Sequence, residues 1–179
     1  RELVETEQWD KLFRVVTIKK GQYTYGPQGT LHGSPYAPTE EEKDMVELGF
    51  ETNSDITYRL YDWGRNMPDR PLHVEKVIET VNIPDDQNMG VDIVEKDIDG
   101  CKVAYFIDKP GIFTAFRIRV DENGTFERKE FMFLFCIDGE AEINGTVIKK
   151  GETIFIPCNY GTLTIKGKAE FGGMTYRNL

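Results

Sequence analysis

The stretch TIKKGQYTYGPQGTLHG (residues 17–33) returns in outline as VIKKGETIFIPCNYGTLTI (residues 147–165). Both copies read Ile-Lys-Lys-Gly, continue as an apolar alternation, and reach a proline and then a glycine. Alternation with a period of two is the mark of a strand. Each copy therefore predicts a strand, a tight turn and a returning strand. In the first copy Pro27 presets the turn and Gly29 supplies freedom at positive φ. The returning strand points alternate side chains to one face, which places Thr30 and His32 together. An inward imidazole suits a divalent metal. Only the first copy has one; the second continues Thr162, Leu163, Thr164.

Outward from these turns the chain reads as two parts. Residues 2–14 (ELVETEQWDKLFR) and 71–82 (PLHVEKVIETVN) carry helical patterns. VELGFETN (46–53) and ITYRLYDW (56–63) read as strands, and residues 33–44 as a solvated loop with an acidic helical turn from Thr39. From about residue 91 short strands follow at regular spacing, among them FERKEFMFLFCI (126–137) and AEI (141–143), separated by Gly, Asn, Asp or Pro, the pattern of an all-β sandwich or barrel. The boundary is expected at PDDQNMG, giving parts 1–90 and 91–179. Asn123-Gly124 and Asn144-Gly145 read as hairpin turns in preference to glycosylation sites.

Bulk properties exclude several classes. The chain has 179 residues, 39% hydrophobic and 30% charged, an ordinary globular balance. A net charge of -9 argues against a nucleic-acid partner, though a small phosphorylated substrate needs only a local cation or two. No apolar run has the length of a membrane span. The three cysteines, Cys101, Cys136 and Cys158, form no CxxC, which predicts reduced thiols in a cytoplasmic protein. Arg1 opens the chain and leads straight into a helical pattern, so a piece of a longer product is expected.

Gly21 to His32 fits G-x5-P-x-G-x2-H and resembles the second motif of the cupin jelly rolls. The resemblance then narrows. ETNSDITYRLYDWGR (51–65), RPLHVEKVIETVN (70–82), KKGQYTYGPQGTLH (19–32) and GEAEINGTVIKKGETIFIP (139–157) are together similar to the short bacterial form of type I mannose-6-phosphate isomerase. These blocks lie in consistent order along nearly the whole chain. The resemblance implies a mainly β protein: the incomplete C-terminal part of a catalytic cupin half with helices, then a complete, degenerate cupin-like jelly roll without metal.

It also implies an aldose–ketose isomerase that interconverts mannose 6-phosphate and fructose 6-phosphate, with one Zn2+ per complete catalytic domain. His32 falls on the family's metal histidine, and Arg59 on the arginine that lines the active site. The earlier H-x-H…E ligands have no counterpart before Gly21, so the isolated chain is expected to be inactive. Where the family usually carries Glu this chain has Gly49, with Glu47 and Glu51 on either side, and no catalytic base or substrate-binding residue is assigned. His73 is expected to pack or cap locally, and the lysine pairs 19–20 and 149–150 to be solvated turn charges. The implied partner is a small phosphorylated sugar, with no nucleic acid or membrane, and the assembly a monomer or homodimer. A non-catalytic cupin-like module, sugar-binding or regulatory, is the other reading.

Overall fold

The computed structural model describes residues 1–33, 47–51, 54, 56–65, 67–85, 91–109 and 113–176. It divides into two compact units, residues 1–47 with 53–91, and residues 48–52 with 92–179. The expected loop after Gly33 and most of PDDQNMG lie outside the described residues. No helix among the described residues is long and apolar enough to cross a membrane.

In the first unit the expected helix over 2–14 forms as two single turns, α1 (Glu2–Glu5) and α2 (Trp9–Leu12). The first ends at Thr6, whose amide and hydroxyl both donate to the Glu2 carbonyl, at 2.9 and 2.7 Å. Glu7 then turns to φ 53. The restart at Trp9 stacks its indole on Tyr61 at 4.7 Å between ring centroids. Strand β1 (Gln22–Tyr23) is short.

The pattern over 71–82 forms α3 (Val74–Thr80), with Val77 buried beneath it. Its C-terminal end is held by the Pro27–Gly29 turn. Asn82 donates from its amide to the Gly29 carbonyl and from Nδ2 to the Gln28 carbonyl, both at 2.9 Å. Gly29 has φ 86, and a Cβ there would stand 2.7 Å from Asn82 Nδ2 and 2.8 Å from the Thr80 carbonyl oxygen. Gly29→Ala is therefore expected to destabilise the first unit by about 1–2 kcal/mol from backbone conformation alone. The overlap adds to that, and thermal unfolding of the variant measures the sum.

In ITYRLYDW Leu60 and Asp62 are buried while Ile56 and Tyr58 on the same phase are exposed, and the segment pairs with no strand among the described residues. Its main chain bonds instead where Arg59 and His73 exchange hydrogen bonds, and at the Asp62 carbonyl, which accepts from the Arg65 amide at 3.0 Å. Trp63 and Gly64, at φ 54 and 69, then turn the chain away.

After β2 (Val91–Asp92), which straddles the division, the second unit is the mainly β body that the spacing predicts. Its strands are β3 (Lys96–Ile98), β4 (Cys101–Lys109), β5 (Phe113–Val120), β6 (Asn123–Phe126), β7 (Met132–Ile143), β8 (Thr146–Lys149), β9 (Thr153–Ile156) and β10 (Leu163–Thr175). The sheet runs β3-β4-β5-β10-β7-β8, with β6 also on β10 and β9 also on β7. All pairings around β10 are antiparallel. The core holds Phe116, Ile118, Met132, Leu134, Leu163, Ile165 and Phe171, each at 0% exposure. At ~25 cal/mol per Å2 of apolar surface, each such side chain contributes about 1.5–3 kcal/mol.

Two expected strands, ending at Ile137 and beginning at Ala141, are one. Strand β7 passes from Met132, Leu134 and Cys136 inward to Ala141 and Ile143 inward. A change of register against β10 between Glu170 and Phe171 absorbs the extra residue. At the bend Gly139 has φ 77, and a Cβ there would lie 2.1 Å from the Lys168 carbonyl oxygen.

Asn144 and Gly145 make the two-residue hairpin turn expected of them, at φ 47 and 88 between Ile143 and Thr146. Asn123-Gly124 does not. It lies inside β6, opposite Lys166 and Ile165, and the turn falls at Asp121 and Glu122, whose carbonyl accepts from Gly167. Pairing along β10 outweighs the local turn preference.

Candidate functional site

The two echoed stretches share one turn geometry, each within its own unit. Gly21 and Gly151 stand at φ 87 and 88. Gln22 and Glu152 donate their amides to the carbonyls of Lys19 and Lys149 at 3.0 and 2.9 Å. The same two side chains accept from the amides of Lys19 and Lys149 at 3.0 and 2.8 Å. Beyond the prolines, Asn159 at φ 54 occupies the place of Gly29, as asparagine tolerates that region.

After this common turn the copies diverge. His32 packs over Gly26, and its Nδ1 is 2.9 Å from the Thr30 carbonyl oxygen. A carbonyl only accepts, so Nδ1 donates and Nε2 keeps its lone pair. The ring is exposed. That is the tautomer in which a second partner orients a metal-binding imidazole. The neighbouring Thr30 Oγ1 is buried and has no hydrogen-bond partner among the described residues. One imidazole is not a zinc site, however, and among the described residues no three His, Cys, Asp or Glu side chains gather to hold a metal. The described residues therefore do not by themselves fit zinc.

In the second copy Thr162 stands in the place of His32. Its hydroxyl donates to Glu127 at 2.5 Å. The two line an open cavity of about 340 Å3 with Ile98, Asp99, Tyr105, Thr125 and Phe126. Both histidines of the chain, His32 and His73, lie in the first unit.

Arg59 is better provided. Its side chain is 20% exposed, with Nε 3.6 Å from Asp62 Oδ1 and Nη1 donating to the Pro71 carbonyl at 3.4 Å. Asp62 is 7% exposed and gathers two further arginines. Arg65 donates to its Oδ1 at 2.8 Å, and Arg70 reaches both carboxylate oxygens, at 3.0 Å from Nη2 and 3.2 Å from Nε. The Arg70 hydrogen bonds, then the charges of Arg65, Arg70 and Arg59, hold the Asp62 carboxyl below the usual carboxylate range against the opposing effect of burial. Arg70 is raised in return, first by the same hydrogen bond. Three guanidinium groups gather at one carboxylate, and the charge of Asp69 also acts on Arg70. An arrangement of that kind can steady a developing anion.

His73 does more than the packing or capping expected of it. It is the N-cap residue of α3, yet its side chain makes no capping bond. Its Nδ1 accepts from the Arg59 amide at 3.1 Å, and its own amide donates to the Arg59 carbonyl at 2.7 Å. Glu47 and Glu51 are both exposed, and neither is assigned as the base. Asp62, Arg65 and Arg70 went unnoticed in the sequence. Their signal is an aspartate with arginines three residues to either side, in a segment whose alternation points that aspartate inward.

Residues 105–172 match the family model of the mannose-6-phosphate isomerase cupin domain. The chain is 29% identical to mannose-6-phosphate isomerase ManA of Bacillus subtilis over 94% of its own length and 53% of that protein's. It is 22% identical to the mannose-6-phosphate isomerase of Streptococcus mutans over 95% of its length and 53% of that protein's. It spans about half the length of the curated relatives it matches. Among solved structures, the mannose 6-phosphate isomerase from Bacillus subtilis aligns with 68% of this chain and 41% of its own, at a TM-score of 0.58 and 23% identity. A mannose 6-phosphate isomerase solved with zinc bound aligns with 63% of this chain and 29% of its own, at 0.50 and 14%. At those identities the structural likeness shows the fold alone. Residues 105–172 of the second unit are similar to that family's cupin domain, and the chain as a whole resembles the C-terminal portion of its cupin-type members.

Proposed function

We propose that this chain is the C-terminal part of a mannose-6-phosphate isomerase, acting in the cytoplasm on a small phosphorylated sugar. The observation that carries the reading is similarity to curated isomerases along 94% of the chain, including the segment that seats Arg59. Isomerisation moves a proton between C1 and C2 through an enediol-like intermediate, while negative charge grows on the sugar oxygens. Arg59, partly buried and backed by the Asp62 cluster, stabilises that charge. His32 supplies one ligand to the zinc ion of the complete catalytic domain. The second unit, whose copy of the turn carries no histidine, takes no part in the chemistry.

The test compares the 179-residue chain with the full-length gene product. Turnover of mannose 6-phosphate and about one zinc per molecule are expected only of the latter. Arg59→Ala is expected to lower kcat by about 10²–10³, the loss typical of one electrostatic donor removed from a site. Full activity in the Arg59→Ala protein rejects the assignment. The second reading, a metal-free sugar-binding or regulatory cupin module, draws on exposed His32 and on the lack of a three-ligand group among the described residues. Sugar phosphate binding by a zinc-free, inactive full-length protein is its signature.

A further inference from the structure

The geometry points to His73 as a positioning residue for Arg59, an assignment that rests on the isomerase reading for its catalytic meaning. Arg59 belongs to an extended segment with no strand beside it among the described residues. Sheet pairing therefore does not set its main chain. His73 does so instead, taking the Arg59 amide on Nδ1 at 3.1 Å and giving its own amide to the Arg59 carbonyl at 2.7 Å. Two residues earlier, the Pro71 carbonyl accepts from Arg59 Nη1 at 3.4 Å. One short stretch, 71–73, thus holds Arg59 at both its backbone groups and at its guanidinium.

The imidazole is chosen for this by chemistry. An amide can donate only to an unprotonated ring nitrogen, so Nδ1 is bare and the proton sits on Nε2. A histidine at a helix N-cap position would ordinarily be a poor choice, and its side chain makes no capping bond to α3. The ring, tilted against Tyr58 at 6.0 Å, serves the neighbouring segment instead. Misplacing a catalytic group by about 1 Å can lower a rate by about 10², so an indirect contact of this kind is able to govern kcat.

The experiment uses the full-length gene product with His73→Leu and His73→Asn. Asparagine offers an oxygen acceptor near the place of Nδ1; leucine offers none. Expected is a fall in kcat of about 10–100-fold for His73→Leu with KM within about twofold, and recovery to within about threefold of wild type in His73→Asn. In an Arg59→Ala background the His73→Leu loss should vanish. Nitrogen-15 relaxation at Arg59 Nε provides a readout without turnover: rigid in the wild type and His73→Asn, mobile in His73→Leu. His73→Leu at wild-type kcat overturns the assignment, as does His73→Asn impaired as deeply as His73→Leu with both folded. If His73→Leu does not fold, His73→Ala, which also lacks an acceptor, takes its place in every comparison with the same expected and overturning results. A wild type without isomerase activity refutes the proposed function instead, and the Arg59 relaxation still judges His73.

Discussion

Replacing Asp62 by alanine is expected to lower kcat of the full-length gene product by about 10², because it releases Arg59 from the charge that aims it. The same change leaves three guanidinium groups facing one another with no carboxylate between them. Arg70 loses both its hydrogen-bond acceptors on Asp62, and Arg65 loses one. Asp62→Asn keeps the shape and one acceptor oxygen but not the charge, and should fall between alanine and wild type. A pH dependence follows from the depressed Asp62 pKa. A carboxyl held lower in the folded than in the unfolded state adds stability above the ordinary aspartate range of about 3.9. That contribution fades as pH falls toward the depressed folded value. Denaturation of wild type and Asp62→Asn between neutral and acid pH should therefore show two curves that converge in acid. Curves that stay parallel, or an Asp62→Asn enzyme with unchanged kcat, speak against the cluster as described.

The other large effect belongs to the second unit. Gly139→Ala places a methyl 2.1 Å from the Lys168 carbonyl oxygen and fixes a side chain at φ 77. The atom in the way is main chain of the neighbouring strand β10, so no side-chain rotation relieves it. Backbone strain of about 1–2 kcal/mol and overpacking of about 1–3 kcal/mol together give about 3 kcal/mol. For a domain of this size that lowers Tm by roughly 15 °C. Gly145→Ala is the control: it too has positive φ, but its added Cβ meets nothing within 4 Å. Equal Tm losses for the two would show that close approach is not what makes Gly139 necessary.

The β unit was legible in the sequence because its strands alternate inside and outside with little interruption. What the alternation concealed was continuity. Ile137 and Ala141 looked like the end of one strand and the start of another because the bulge near Gly139 shifts the inward phase by one residue. Asn123-Gly124 misled for the opposite reason, a strong local turn preference overridden by pairing with β10. In the first unit, the turn of Glu7 to φ 53 breaks a helix whose apolar spacing continues through it, which periodicity does not register.

His32 and Arg59 were singled out through spacing and resemblance. Asp62 and His73 were not, since their importance lies in what they face across a turn. Asp62 meets Arg70 eight residues on, and His73 meets Arg59 fourteen residues back. The chain turns at Trp63 and Gly64 between the members of each pair, so no period read along one element links them, and only the folded chain brings them into view.

The turn shared by the two copies has a practical consequence at Cys158, which lies between Pro157 and Asn159 and is exposed. The other two thiols are buried. Burial, with Asp97 and Asp99 nearby, pushes Cys101 up to about 11, and burial raises Cys136 as well. Since the thiolate is the form that reacts, a maleimide dye at neutral pH meets one accessible sulfur in the native chain. The protein thus carries its own labelling point, set on the counterpart of the turn that presents His32. Local motion there can be followed by fluorescence without introducing or removing a single residue.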